Sequence, residues 1–192
     1  MLISDDLFDL FVGTPHNWSN HRPLLALALR LSSIPIVLEY GVGDGSTLQL
    51  RELCGKIGTT LISFDSNNEW LSRFNKDVPE HHRMKFVGDN WDSVYDTLPK
   101  SPRSIGVAFI DHAPGERRME DVRRVKELAE LVVVHDTEPE APGYRMPEVL
   151  PTFKHRADVK TNGAWASLVS DYVDLSGLDG LVVAGYKVEV ER

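Results

Sequence analysis

Five acidic residues stand at or just after the ends of five short apolar runs: Glu39 in Ile36–Tyr40, Asp65 after Thr60–Phe64, Asp89 after Met84–Val87, Asp111 after Ile105–Ile110 and Asp136 after Leu131–Val134. Packing explains this poorly, because a buried acid needs a partner. If the runs are neighbouring parallel strands, their carboxyl ends are where a ligand binds. Acids gathered there can accept hydrogen bonds from sugar hydroxyls, balance a cationic ligand or, in pairs, hold a divalent cation through oxygen. His135, beside Asp136, adds a group that titrates near neutral pH and can take a proton or bind metal. Glu39 also opens a glycine loop, Tyr40-Gly41-Val42-Gly43-Asp44-Gly45, where backbone can approach a ligand closely. The loop departs from the dinucleotide fingerprint Gly-x-Gly-x-x-Gly: its glycines alternate, and Ser46 stands where the third belongs. An ordinary strand-to-helix turn is the plain alternative.

The elements that must position these residues alternate along the chain. Apolar spacing predicts helices over Pro23–Leu31, Ser46–Cys54 (stopped near Gly55), Asn68–Lys76, Trp91–Leu98 and Glu116–Glu130. Between them lie the strands Ile36–Tyr40, Thr60–Asp65, Met84–Val87, Ile105–Ile110 and Leu131–Val134. Past Glu138 four prolines break the pattern. Strands then follow over Arg156–Thr161, Trp165–Tyr172 and Leu181–Lys187, the last two expected to join through Ser176–Gly180 as an antiparallel end. The fold class expected is α/β: a doubly wound, mostly parallel, Rossmann-like sheet with an antiparallel C-terminal end. No linker divides it. One domain is expected over 1–192, with an N-terminal helical segment (1–35), a cofactor-binding core (36–138), and a substrate loop with C-terminal strands (139–192).

Composition narrows the function. The formal net charge of −8 disfavours nucleic acid, whose phosphates need a basic surface. Cys54 is the only cysteine, so no intrachain disulfide or multi-cysteine zinc site can form; its apolar helical setting predicts a buried structural thiol. Acids in Met1–Val12 do not suit a secretory leader, and Pro23–Leu31 is too short to span a bilayer, so a cytoplasmic protein without a membrane partner is expected. A small-molecule substrate is expected, and assembly as a homodimer is left open.

Asp65 lies roughly 20 residues past the glycine loop, where an acid hydrogen-bonds ribose hydroxyls in nucleotide-binding α/β folds. Asp89 or Asn90 could read the adenine amino edge, and Trp91 could either cover its face or anchor a short helix. These features resemble the class I S-adenosylmethionine-dependent methyltransferases over about Ile36 to Lys187. The resemblance rests on Val37–Gly45, Phe64-Asp65, Val87–Trp91 and the two later strand ends. It implies a cofactor shell of Glu39, Gly41, Gly43, Asp65, Asp89, Asn90 and Trp91. Phe109-Ile110-Asp111-His112 and Val133–Thr137 further resemble the metal-binding pair of the catechol-type and cephalosporin-hydroxylase-like O-methyltransferases. There a magnesium ion would orient a substrate hydroxyl and lower its pKa.

Two departures from that pattern stand out. Thr137 replaces the Asn of the first type, and His135 the Glu of the second. Asp111, His135 and Asp136 are therefore expected as both catalytic residues and metal ligands, with imidazole shifting preference from Mg toward transition metals. The reading carried forward is methyl transfer to a hydroxyl of a small molecule, assisted by a divalent metal. Its alternatives are metal-free transfer with His135 as general base, a non-catalytic cofactor-binding protein, and an NAD-dependent oxidoreductase. Arg117 and Arg118 are expected to be solvated, although either could meet an anionic substrate group. Trp18, His21 and Arg22 could form a lid, a capped helix start being the plainer account.

Overall fold

The apolar runs are strands of one sheet in the computed structural model, which describes residues 11–13, 19–141 and 143–191. In chain order the elements are α1 (Arg22–Leu31), β1 (Ile36–Tyr40), α2 (Thr47–Ile57), β2 (Thr60–Asp65), α3 (Asn68–Phe74), β3 (His82–Phe86) and α4 (Ser93–Thr97). There follow β4 (Ile105–Ile110), a 3₁₀ turn (Gly115–Arg117), α5 (Arg118–Val125), β5 (Ala129–His135), two 3₁₀ turns (Met146–Glu148 and Leu150–Thr152), β6 (His155–Lys160), β7 (Trp165–Ser170), a further 3₁₀ turn (Ser176–Leu178), β8 (Val182–Val183) and β9 (Tyr186–Glu191).

The strands lie in the order β3-β2-β1-β4-β5-β7-β6-β9-β8. β1 to β5 pair in parallel, and β7 runs antiparallel between β5 and β6. Chain order reverses between β1 and β4, which puts the ligand crevice of such a sheet beyond the ends of these two strands. The mostly parallel sheet with an antiparallel C-terminal end is the fold class expected. The detail at that end differs: β7 and β9 are not neighbours, because β6 lies between them. The expected strand Leu181–Lys187 is instead a hairpin. Ala184 and Gly185 both have positive φ, as a tight type I′ turn requires, and they separate β8 from β9.

Strand residues alternate between two cores, as the pleat demands. Val37, Val107, Phe109, Leu131 and Val133 pack with the apolar face of α1 and with Leu50 and Leu53 of α2. Leu38, Ala108, Ile110, Val132 and Val134 pack on the other side with Trp91, Met119, Val122 and Val125. Leu25 of α1 is fully buried, so Leu25→Ala should cost about 2–5 kcal/mol. α2 runs past its expected stop: Gly55 stays helical and lies so close to the His81 ring that a Cβ would sit 2.6 Å from it, and Gly58 ends the helix in the left-handed conformation. α5 is shorter than expected, since Ala129 and Glu130 belong to β5. No helix among the described residues is long and apolar enough to cross a membrane.

Candidate functional site

The ends of β1 and β4 approach so closely that only glycine fits between them. Gly41 has φ +93°, and a Cβ there would sit 2.6 Å from the Asp111 carbonyl oxygen. Gly43 differs: a Cβ would meet nothing nearer than Gly45 N at 3.9 Å, so the space beside it is open. That space belongs to a cavity of about 250 Å³. Gly41, Val42, Gly43, Gly45 and Ser46 line one wall; His21, Asp111, His135 and Asp136 line the other.

The loop is held from below and from the side. Glu39 is fully buried beneath it and accepts hydrogen bonds from Ser46 Oγ (2.6 Å), Thr47 Oγ1 (3.0 Å) and Ser63 Oγ (2.5 Å). Burial pushes its carboxyl up to about 7, against the pull of these hydroxyls. Asp65 accepts from the backbone N–H of Val42 through Oδ2 (2.9 Å) and of Asn67 through Oδ1 (2.7 Å), tying the end of β2 to the loop. The α1 start does the same from above. His21 Nε2 and Arg22 Nε lie 3.3 and 2.7 Å from the Gly45 carbonyl. His21 is the N-cap of α1 and makes no side-chain cap, so its role is at the loop rather than on the helix. Trp18, the third residue expected in a lid, lies outside the described residues.

Of the residues expected after β3, Asp89 and Asn90 are exposed, whereas Trp91 is in the core. Its ring stacks on Tyr40 with centroids 6.0 Å apart and lies 4.1 Å from the His112 ring. A side chain 3% exposed is an anchor for α4 and offers adenine no face.

At the far wall Arg118 corrects two expectations. It is buried, not solvated. Its Nη1 lies 2.9 Å from Asp136 Oδ2, its Nη2 lies 3.1 Å from Asp111 Oδ1, and its Nε donates to the His112 carbonyl at 2.7 Å. The guanidinium thus bridges the two carboxylates expected as metal ligands. Asp136, expected as a metal ligand, is committed to Arg118 through Oδ2, and its φ of +56° is a strained value that non-glycine residues rarely hold. Arg117 is likewise paired, with Asp121 (3.0 Å) and Asp92 (2.6 Å). Thr137 is buried and accepts from Ser167 Oγ at 2.9 Å.

His135 Nδ1 lies 3.3 Å from Asp111 Oδ1 and 3.4 Å from Asp136 Oδ1, and Nε2 lies 2.9 Å from Asn20 Oδ1. Burial opposes protonation of this ring, but Asp111 and Asp136 outweigh it and raise the pKa. For His21 burial wins, and its pKa falls to about 3. Among the described residues, His21, Asp111 and His135 each offer one ligand atom within 4.8 Å of the others. The cluster that could hold a metal therefore keeps two of the three expected ligands and exchanges Asp136 for His21. Sequence reading missed Asn20 and the metal-ligand role open to His21, since nothing local ties residues 20 and 21 to a strand end more than 100 positions away.

No protein-family model matches the sequence, and no curated protein matches it. Solved structures do match the fold. An O-methyltransferase candidate from Klebsiella pneumoniae superposes with a TM-score of 0.60 at 16% identity, over 89% of this chain and 92% of that one. An O-methyltransferase from Bacillus cereus in complex with SAH gives 0.58 at 12% identity, over 88% and 93%. The tRNA (m1A58) methyltransferase TrmI from Aquifex aeolicus gives 0.52 at 16%, over 85% and 75%. The chain has the fold of class I S-adenosylmethionine-dependent methyltransferases, a fold that carries very different acceptors.

Proposed function

We propose that this chain transfers the methyl group of S-adenosylmethionine to a hydroxyl of a small molecule. The observation that carries the reading is the cavity beside Gly43, open where a pyrophosphate fingerprint is lacking and faced by carboxylates suited to a cationic cofactor. Adenosylmethionine carries an ammonium and a sulfonium but no pyrophosphate. The loop would approach its methionine part. Asp65, whose two oxygens each keep acceptor capacity after binding one N–H, would take the ribose hydroxyls. Bound there, the cofactor would supply an electrophilic methyl group, and Asp111 and His135 would receive the proton that the acceptor hydroxyl gives up. A small acceptor fits a cavity of this size and a chain of net charge −8 better than a nucleic acid does.

Asp65→Ala should weaken adenosylhomocysteine binding by about tenfold or more, the loss of a charge-assisted hydrogen bond of about 1.5–3 kcal/mol. Calorimetry reads the affinity, and a melt confirms that the loop has not unfolded with its two lost caps. Unchanged affinity would reject the ribose assignment. The second reading, His135 as a metal-free general base, draws on its pairing with Asp111. Full turnover of a hydroxylated acceptor in EDTA would select it.

A further inference from the structure

Arg118 commits all three guanidinium nitrogens inside the protein. Nε donates to the His112 carbonyl (2.7 Å), Nη1 reaches Asp136 Oδ2 (2.9 Å) and the His135 carbonyl (3.4 Å), and Nη2 reaches Asp111 Oδ1 (3.1 Å). Tyr144 covers the group, its ring centre 4.7 Å from the guanidinium carbon. Gly115 makes room for that ring, since a Cβ there would collide with it. Asp136 keeps its positive φ only because its surroundings fix it, and the pair with Arg118 is part of that constraint. A guanidinium does not give up its proton in a protein, so the charge it brings to this wall is permanent.

We propose that Arg118 is the resident cation of this wall: its guanidinium stands between Asp111 and Asp136 where the resemblance sets a magnesium ion, and it keeps a dication out. The donor set does not fit that ion. Magnesium takes free carboxylate oxygens into an octahedral shell, whereas one oxygen of each carboxylate here already accepts from the same buried guanidinium. Two carboxylates and one guanidinium sum to −1. A dication added to them would bring the wall to +1, with the guanidinium and the ion side by side. The same sum opposes an ion held by Asp111 together with His21 and His135. Left as it is, the wall turns one negative charge toward the cavity, which suits a sulfonium. The planar fork also sets the spacing of the two carboxylates, so Arg118 is a positioning residue that acts through Asp111 and Asp136. That role in methyl transfer rests on the function proposed above; the exclusion of a dication does not.

Manganese(II), an ion suited to carboxylate and water ligands, is the probe, titrated into the full chain with and without adenosylhomocysteine. Electron paramagnetic resonance reads the free ion, and a melt reads stabilisation by the bound one. The wild type should hold no equivalent that depends on Asp111 or Asp136. Arg118→Met frees both carboxylates, so it should gain one saturable equivalent, bound about tenfold or more tighter than by the wild type, and its melting temperature should rise with manganese. Adding Asp111→Asn to Arg118→Met should remove the gain. A merely structural arginine would cost stability on removal and admit no ion. Wild-type binding that is lost on Asp111→Asn or Asp136→Asn would overturn the proposal. So would a folded Arg118→Met that binds manganese no better than the wild type. Should Arg118→Met fail to fold, wild-type crystals grown in manganese chloride decide: anomalous density at Asp111 or Asp136 overturns the assignment, and a guanidinium between them without it upholds the assignment. Calorimetry with adenosylhomocysteine separates the two claims. A wild type that binds neither manganese at this wall nor adenosylhomocysteine loses only the methyltransferase reading, and one that binds both loses only the role of Arg118.

Discussion

The two walls of the cavity treat their polar groups in opposite ways. Beneath the glycine loop the hydrogen bonds close on themselves. Arg51 Nε donates to His82 Nδ1 (2.9 Å), so His82 Nε2 must carry the hydrogen that meets Ser63 Oγ (2.8 Å), and Ser63 donates to Glu39 (2.5 Å). Every link has a defined direction. Across the cavity, His21 Nδ1 has no hydrogen-bond partner among the described residues and His135 Nδ1 faces carboxylates. Buried polar atoms in folded proteins are nearly always paired, so an unpaired nitrogen that also lines a cavity, as in His21, is placed to meet a ligand. By that criterion Glu39 shapes the loop from behind, and the ligand-facing chemistry lies at Asp111, His135 and His21.

The comparison can be broken most severely at Gly41. Gly41→Ala places a Cβ 2.6 Å from the Asp111 carbonyl oxygen at a φ that disfavours side chains, so both walls should shift together. A loss on the order of 3 kcal/mol is expected by denaturant unfolding. A change under about 0.5 kcal/mol would show that the β1 and β4 ends are not locked. Cutting the closed wall alone comes next. Ser63→Ala leaves the Glu39 carboxylate and the His82 Nε2–H without their shared partner, at a cost of about 1–3 kcal/mol.

Acid and base limbs of the stability curve sharpen the same contrast with smaller effects. Burial, helped by the Arg51 charge, lowers His82 from 6.5 to about 3. The unfolded chain therefore binds its proton first, and the stability His82 contributes, complete above pH 6.5, is lost as pH falls toward 3. Glu39 works the other way. Raised from 4.5 to about 7, it contributes fully below pH 4.5, and that contribution is lost as pH rises to about 7. Melting temperatures across this range should show His82→Asn flattening the acid limb and Glu39→Gln flattening the upper one. Parallel curves for wild type and either variant would mean that residue does not titrate as the closed chain requires.

Much of the frame was legible because its boundaries are chemical. Ile36–Tyr40, Thr60–Asp65 and Ile105–Ile110 are strands over the residues expected, each rich in branched or aromatic side chains and stopped by glycine or acid. Glu130 shows where local spacing fails. It continues the helical pattern of α5, yet Ser32, Ser33 and Arg103 hold its carboxylate at 2.6–2.9 Å, and it belongs to β5. Arg118 fails for a related reason: a first-turn arginine is normally solvated, and only the meeting of β4 and β5 gives this one two carboxylates. Cys54 is buried as its apolar setting predicts, with burial pushing its thiol up to about 12.

The central claim is that the open space beside Gly43 receives the cofactor, and one titration addresses it. Adenosylhomocysteine is titrated calorimetrically into the wild-type chain and into Gly43→Val, with the melting temperature of each recorded. No protein atom stands closer than 3.9 Å to a Cβ at this position and its φ is not positive, so the variant should fold and melt much as the wild type does. The account predicts one equivalent bound by the wild type and binding by Gly43→Val weakened by about tenfold or more, because the valine fills the space the cofactor needs. Equal affinity in the two proteins, both folded, would contradict it and reduce the glycine loop to a connection between β1 and α2.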